Sequence, residues 1–407
     1  MNVLNAYLEQ TLSHIRYLSE TIGSRGSCTP QERKASEYVT SQLSALGLQS
    51  FRTQPFKAIP STYWPYALAF STAVIGSLLA LLFNSRSILV LAAFLNALGF
   101  WGMLAETEFN SSWIRWLLPK ATSQNVLGVV PPTAMVQKRV VLSAHLDTHR
   151  TPIFYSSSKW HTLFSTLVGL TFVSMVIGMV AYGMGAVLDW SWVRWFGIVL
   201  IPVQIFALIL CLHADLTPFS PGANDNASGV GLVLGLAYRL VEQPLEHTEI
   251  HLVFTDCEES GAYGIQAYLD AQASELGKET IYIILDEVGN GTIKYLTADG
   301  LVLKHQTHPL AIELAKAASI ACPEIRVFKG AGIAYTDALP ATRRGLIALT
   351  LCTLPPHGAE NESHWHQMSD TFEHVETKDL AHIHQFTWKI LQIIDSQMGD
   401  QSIPLSE

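Results

Sequence analysis

His145, Asp225, Glu259, Asp286 and His366 are residue types that hold divalent metal ions, and Glu258 stands beside the third of them. Two imidazoles and three carboxylates offer the nitrogen and oxygen donors that zinc takes in catalytic sites with an open position. The set suits a pair of ions, with one carboxylate left over. Glu258 cannot ligate the same ion as Glu259 without strain, so it stays free beside any water held there. Metal binding lowers the pKa of water from about 16 towards about 7, which supplies a nucleophile at neutral pH. Glu258 would take the proton and return it to the leaving group. The predicted chemistry is hydrolysis, with two Zn2+ ions polarising a carbonyl and stabilising the oxyanion.

These residues must be positioned by strand ends and loops. Arg139–His145 (RVVLSAH) reads as a strand that delivers His145, and alternation puts Asp147 on the same side. An Asp there can accept the second imidazole N–H and fix the tautomer. Glu258 and Glu259 follow the strand 249–256 (EIHLVFTD), and Asp286 ends the strand 281–286 (IYIILD). Asp225 sits in the Gly-bounded turn GANDNASG (222–229), at the opening of a helix. His366 lies in HQMSDT (366–371), with Asp370 as its expected support. Singly, each motif has an ordinary structural reading as a cap, a solvated carboxylate pair or a loop histidine. Jointly, in this order and at strand ends, they define a site.

Further elements follow from periodicity. Residues 2–50 read as helix–turn–helix, and 125–130 and 346–353 read as strands. Helices are expected at 227–242, 263–273, 309–320 and 377–397. Strand and helix alternate, with apolar strands, so the fold class is α/β. It is a mostly parallel mixed sheet flanked by helices, with ligands gathered beyond the carboxyl ends of the strands.

The motifs SAHLDT, GANDNASGVG, FTDCEESGAYG, LDEVG and HQMSDT resemble the co-catalytic di-zinc aminopeptidases of metallopeptidase family 28. The resemblance covers roughly 3–50 and 122–397. It implies a zinc-dependent exopeptidase fold, hydrolysis of N-terminal residues from peptides, and two zinc ions. By that likeness Asp225 bridges the ions, His145 and Asp286 complete one, and Glu259 and His366 complete the other. Glu258 is then the base, Asp147 a support, and the Asp225–Asn226 peptide bond is expected to be cis. Two departures stand out. The Ser-Asp-His that many relatives carry near the substrate pocket is Thr336-Asp337-Ala338 here. The loop between His145 and Asp225, short in relatives, is 79 residues long.

Most of that insertion reads as membrane. Only 14% of residues are charged, and mean hydropathy is +0.25, against ~25% charge in ordinary soluble chains. Residues 58–85, 87–105, 162–188 and 195–212 contain no Asp, Glu, Lys or Arg. Each is long enough, at about 1.5 Å per residue, to approach the ~30 Å of a bilayer core. Two transmembrane hairpins, 58–105 and 161–212, are therefore expected as insertions in a peptidase domain of 1–57, 106–160 and 213–407. The short linkers 148–161 and 213–222 place the mouth of the site near the bilayer. The hairpins then either gate hydrophobic peptides delivered along the membrane or only anchor the enzyme. Arg and Lys favour the domain-side flanks over the tips, which predicts a cytoplasmic catalytic domain. The net charge of −9 and the lack of a basic stripe argue against nucleic acid. The five cysteines show no CxxC pattern and read as reduced thiols. The first twenty residues lack the apolar core of a secretory signal. Competing readings are a glutaminyl-cyclase-like acyltransferase with one zinc, a catalytically dead scaffold on the same fold, and, weakest, a transporter.

Overall fold

The computed structural model describes residues 3–354 and 364–396. Helix α1 (Val3–Arg16) runs on as a wider turn through Tyr17–Ile22, and α2 (Pro30–Ala45) follows. Thr29 caps α2 by accepting from Glu32 N, with Pro30 in the first turn, where a missing N–H costs nothing. Strand β1 (Phe51–Ala58) leads into the apolar hairpin α3 (Trp64–Leu82) and α4 (Arg86–Thr107). The short α5 (Trp113–Leu117) and strands β2 (Ala121–Val130) and β3 (Lys138–His145) come next. The second hairpin is α6 (Ser158–Leu188) and α7 (Gly197–Asp215).

The remainder alternates: α8 (Gly229–Glu242), β4 (Thr248–Thr255), α9 (Tyr263–Leu276), β5 (Ile281–Leu285), β6 (Thr292–Asp299), β7 (His305–Gln306), α10 (Pro309–Ala321), β8 (Val327–Ala331), α11 (Ala338–Arg343), β9 (Ile347–Leu354) and α12 (Thr377–Ser396). The sheet order is β1-β2-β4-β3-β5-β9-β6-β7, with β8 pairing β6. The four central strands β4-β3-β5-β9 are parallel, and antiparallel pairs flank them on both sides. One face is covered by α1, α2, α8, α10 and α12, the other by α9 and α11. Burial on both faces explains why β5 and β9 are nearly continuous apolar runs.

Strands β1, β6, β7 and β8 were not expected. β1 and β8 are edge strands carrying Pro55 and Lys329, while β6, paired on both sides, carries Lys294 and alternates between buried and half-buried positions. Edge strands tolerate proline and charge, which hides them from an apolar-run search.

Among the described residues, four helices are long and apolar enough to cross a membrane: Trp64–Leu82, Arg86–Thr107, Ser158–Leu188 and Ser191–Asp215. They form their own core, distinct from that of the sheet, and turn large apolar side chains outward, with Val187 79% and Val199 67% exposed. One polar residue from each helix meets at the centre. Gln204 Nε2 donates to Asn96 Oδ1 (3.1 Å) and Ser174 Oγ (3.4 Å), and Ser77 Oγ donates to Gln204 Oε1 (3.2 Å). Gly178 makes room, because a side chain there would meet Asn96 at 2.5 Å.

Candidate metal centre

The carboxyl ends of β3, β4 and β5 bring His145, Glu258, Glu259 and Asp286 together around Asp225, and the loop before α12 adds His366. His145 Nε2 lies 3.2 Å from Asp225 Oδ1 and 3.3 Å from Asp286 Oδ1. On the other side His366 Nε2 lies 3.1 Å from Asp225 Oδ2 and 3.5 Å from Glu259 Oε1. The two oxygens of Asp225 thus face two separate donor pairs. Glu258 joins His145 and Glu259 in a third cluster of atoms, all within 4.8 Å. Every one of these side chains is buried.

The GANDNASG turn is built to hold this arrangement. Asn226 Nδ2 donates to Leu285 O (2.9 Å), Gly289 N donates to Asn224 Oδ1 (2.7 Å), and Val288 N donates to Ser228 Oγ (3.0 Å). The turn carrying Asp225 is thereby pinned to the loop carrying Asp286. The Asp225–Asn226 bond is cis. Gly222 adopts φ +62°, and a side chain there would strike Thr148 at 2.2 Å. Asp370 accepts from Asn224 N (2.7 Å) and Asp225 N (3.0 Å). It therefore braces the Asp225 backbone, in place of the expected contact with His366.

Asp147 also does more than expected. The Nδ1 of His145 lies nearer to Asp147 O (3.1 Å) than to its carboxylate (3.5 Å). The carboxylate instead accepts from Glu258 N (3.0 Å), Glu259 N (3.1 Å) and Ser27 Oγ (2.6 Å). It fixes the backbone on which the base candidate and a ligand candidate stand.

Four further residues were not singled out as site residues by sequence. His149 stacks on His366, with centroids 3.7 Å apart, and its Nε2 is 4.0 Å from Glu259 Oε2. The H-x-D-x-H alternation of His145, Asp147 and His149 is the signal that could have found it. Tyr155 packs edge-on to His366 at 4.5 Å. Arg25, fully buried, donates to the main-chain oxygens of Leu18, Gly23, Leu146, Pro221 and Gly222, tying together the segments that carry His145 and Asp225. Tyr335, from the stretch where the expected histidine is absent, directs its hydroxyl to Glu259 O (3.4 Å).

The electrostatics suit bound cations. Burial, reinforced by neighbouring carboxylates, pushes Glu258, Glu259 and Glu287 well above the usual carboxylate range. Burial opposes charge on His145, but the carboxylates of Asp147, Asp225 and Asp286 around the ring outweigh it and raise its pKa. Burial likewise works against the Asp225 anion, yet hydrogen bonds with His145 and His366 hold its pKa low. Among the described residues, Glu259 Oε1 has no hydrogen-bond donor. Buried carboxylates at this density are stable as anions only when paired with cations, and the donor set fits zinc.

Fold and site together define an α/β protein with a candidate metal centre beyond the carboxyl ends of its central strands. Residues 204–391, a little under half of the chain, match the model of peptidase family M28. The match takes in Asp225, Glu258, Glu259, Asp286 and His366. The chain is 29% identical over 170 residues, 41% of its length, to aminopeptidase YwaD of Bacillus subtilis. That alignment spans only 36% of the relative. Among solved structures, a zinc aminopeptidase from Bacillus subtilis superposes with TM-score 0.58 at 15% identity, covering 97% of this chain and 96% of that one. A glutaminyl cyclase from Bacteroides thetaiotaomicron superposes with TM-score 0.55 at 15% identity, covering 94% and 96%. At such identities the likeness establishes the fold.

Proposed function

We propose that the chain is a membrane-embedded aminopeptidase with two zinc ions, releasing N-terminal residues from peptides. The observation that carries this reading is Asp225, whose two oxygens lie 3.2 and 3.1 Å from the imidazoles of His145 and His366. His145, Asp225 and Asp286 would hold one ion, and Asp225, Glu259 and His366 the other. Bound there, the pair would supply Lewis-acid polarisation of the scissile carbonyl and a water acidic enough to attack at neutral pH. Glu258 takes that water's proton and passes it to the leaving amine. Its burial, which raises its proton affinity, suits both halves of the transfer. Asp147 holds Glu258 and Glu259 in register through their backbone N–H groups.

The hairpins 58–105 and 161–212 are read as transmembrane insertions in a peptidase domain that faces the cytoplasm. Their bases support a role beyond anchoring. Thr62 donates to Glu259 O (2.8 Å), and Tyr63, next to the start of α3, reaches His149. Tyr155, three residues before α6, packs on His366. A peptide delivered along the bilayer would meet this wall first. The second reading, cyclisation of an N-terminal glutamine, is favoured by the fold match to glutaminyl cyclases.

The test is metal analysis with an assay of detergent-purified protein on peptides with free, acetylated and glutaminyl N-termini. The expected outcome is two zinc ions per chain, release of the first residue from free N-termini only, and loss of turnover in Glu258→Ala. That loss should be about 10²–10⁴-fold, the usual share of a general base. One zinc with cyclised glutamine would favour the second reading. Cleavage of acetylated peptides, or a fully active Glu258→Ala, would end the exopeptidase proposal.

A further inference from the structure

Cys28 and Cys257 lie far apart in sequence, yet their Sγ atoms are 3.5 Å apart. Their neighbourhood holds them there. The buried carboxylate of Glu32 accepts from Cys28 N (2.8 Å) through one oxygen and from Cys257 N (3.1 Å) through the other. Ser123 Oγ adds a third bond to Glu32 at 2.7 Å. The two loops are therefore bracketed by one side chain, with the thiols facing each other. Cys257 is fully buried, while Cys28 is partly exposed and can be reached from solvent. A disulfide needs sulfurs about 2.05 Å apart, a closure of roughly 1.5 Å from the present contact.

We propose that Cys28 and Cys257 form a site of reversible thiol oxidation, taking a low-molecular-weight disulfide as co-reactant, whose closure turns the neighbouring metal centre down. Cys28 attacks one sulfur of the disulfide RSSR, its S–H proton leaving with the first RSH, and becomes a mixed disulfide. Cys257 then attacks the Cys28 sulfur, and the second RSH departs with its proton. The balance is two protein thiols plus RSSR giving one protein disulfide plus two RSH. The consequence is carried by chain neighbours. Ser27, beside Cys28, donates to Asp147 Oδ2, and Glu258, beside Cys257, donates its N–H to Asp147 Oδ1. Drawing the sulfurs together shifts both partners of the carboxylate that aligns Glu258 and Glu259. This last effect rests on the proposed roles of those residues; the cross-link does not.

The experiment uses the full chain, purified in detergent and loaded with zinc, incubated with oxidised glutathione. Non-reducing peptide mapping should find Cys28 joined to Cys257. Peptidase turnover should fall by about ten- to a hundredfold, as when outer partners of metal ligands are disturbed, and return with dithiothreitol. Cys28→Ser should keep basal turnover and lose the response. The proposal is overturned if glutathione remains on Cys28 without the cross-link. It is also overturned if the cross-link leaves turnover unchanged, if Cys28→Ser is still inhibited, or if chelation is needed to expose the thiols, which would mark a bound thiophilic cation. Because the cross-link is read by mass, an inactive preparation would count against the peptidase reading and not against the thiol site.

Discussion

His149 stacks on His366 with ring planes 13° from parallel, so the ring of a proposed ligand is held by one that sequence motifs did not single out. His149 Nδ1 donates to Arg150 O at 2.6 Å, which leaves the Nε2 lone pair to accept from Tyr63 OH at 3.3 Å. Burial, then the neighbouring His366, hold His149 well below its ordinary pKa, so the ring is neutral. A residue at the base of the first hairpin is thus coupled, through His149, to His366 of the proposed second metal position. Tyr63→Phe removes the hydroxyl and little else. Its expected effect is a fall in kcat/KM of about tenfold, within the range for outer partners of metal ligands, with zinc content unchanged. Unaltered kinetics in lipid and detergent would leave the hairpin as an anchor only.

Asp147→Asn tests the clasp on the two glutamates. The carboxylate accepts three hydrogen bonds, two of them from the main chain. An amide keeps the shape but turns one acceptor into a donor facing N–H groups. Turnover should fall about ten- to a hundredfold, and zinc affinity should weaken because Glu259 loses its alignment. Asp147→Asn with native turnover and native zinc retention under chelator would show that the loop needs no such clasp.

Three of the candidate ligands were legible because an imidazole or acidic side chain closes or closely follows an apolar β-branched run, whereas Asp225 and His366 lie in a turn and a loop and were legible only through the motifs around them. His145, Glu259 and Asp286 needed no tertiary information beyond that. Arg25 illustrates what was not legible. It donates only to main-chain oxygens, and no side-chain pattern announces carbonyls that converge from Leu18 to Gly222. Asp370 was seen as acidic and near His366, but its target is the Asn224–Asp225 backbone. Sequence adjacency suggested one partner and the fold supplied another. In the fold, the central strands were found because burial on both faces makes them uniformly apolar. The edge strand β1 was missed because its side chains are half exposed.

The polar cluster inside the four apolar helices predicts a stability effect separable from catalysis. Gln204 touches Asn96, Ser77 and Ser174, one residue from each other helix. Gln204→Leu orphans these partners in an apolar surrounding. Hydrogen bonds of this kind average about 0.6 kcal/mol, with a maximum near ~1.7. Losing three should lower the thermal midpoint in detergent by a stability equivalent of about 1–3 kcal/mol. Val199→Leu, on the outward face of the same helix, should leave it unchanged. Equal midpoints for Gln204→Leu and wild type would show that the cluster contributes nothing to packing.

Stability should also fall on mild acidification, through histidines remote from the metal centre. Burial lowers His14 from 6.5 to about 4 and His384, which stacks on Tyr7, from 6.5 to about 3. Neither nitrogen of His384 has a hydrogen-bond partner among the described residues. Because the folded pKa values lie below the unfolded ones, the unfolded chain binds more protons between them. The contribution is constant above 6.5. It is lost as the pH drops towards each folded value, at up to about 1.4 kcal/mol per unit per histidine. His384→Phe keeps a ring against Tyr7 and cannot be protonated. In zinc-loaded protein, where the clustered carboxylates are held ionised, its thermal midpoint should fall less than that of wild type between about pH 7 and pH 5. A fall as steep as wild type's would mean that His384 is not the group that takes up the proton.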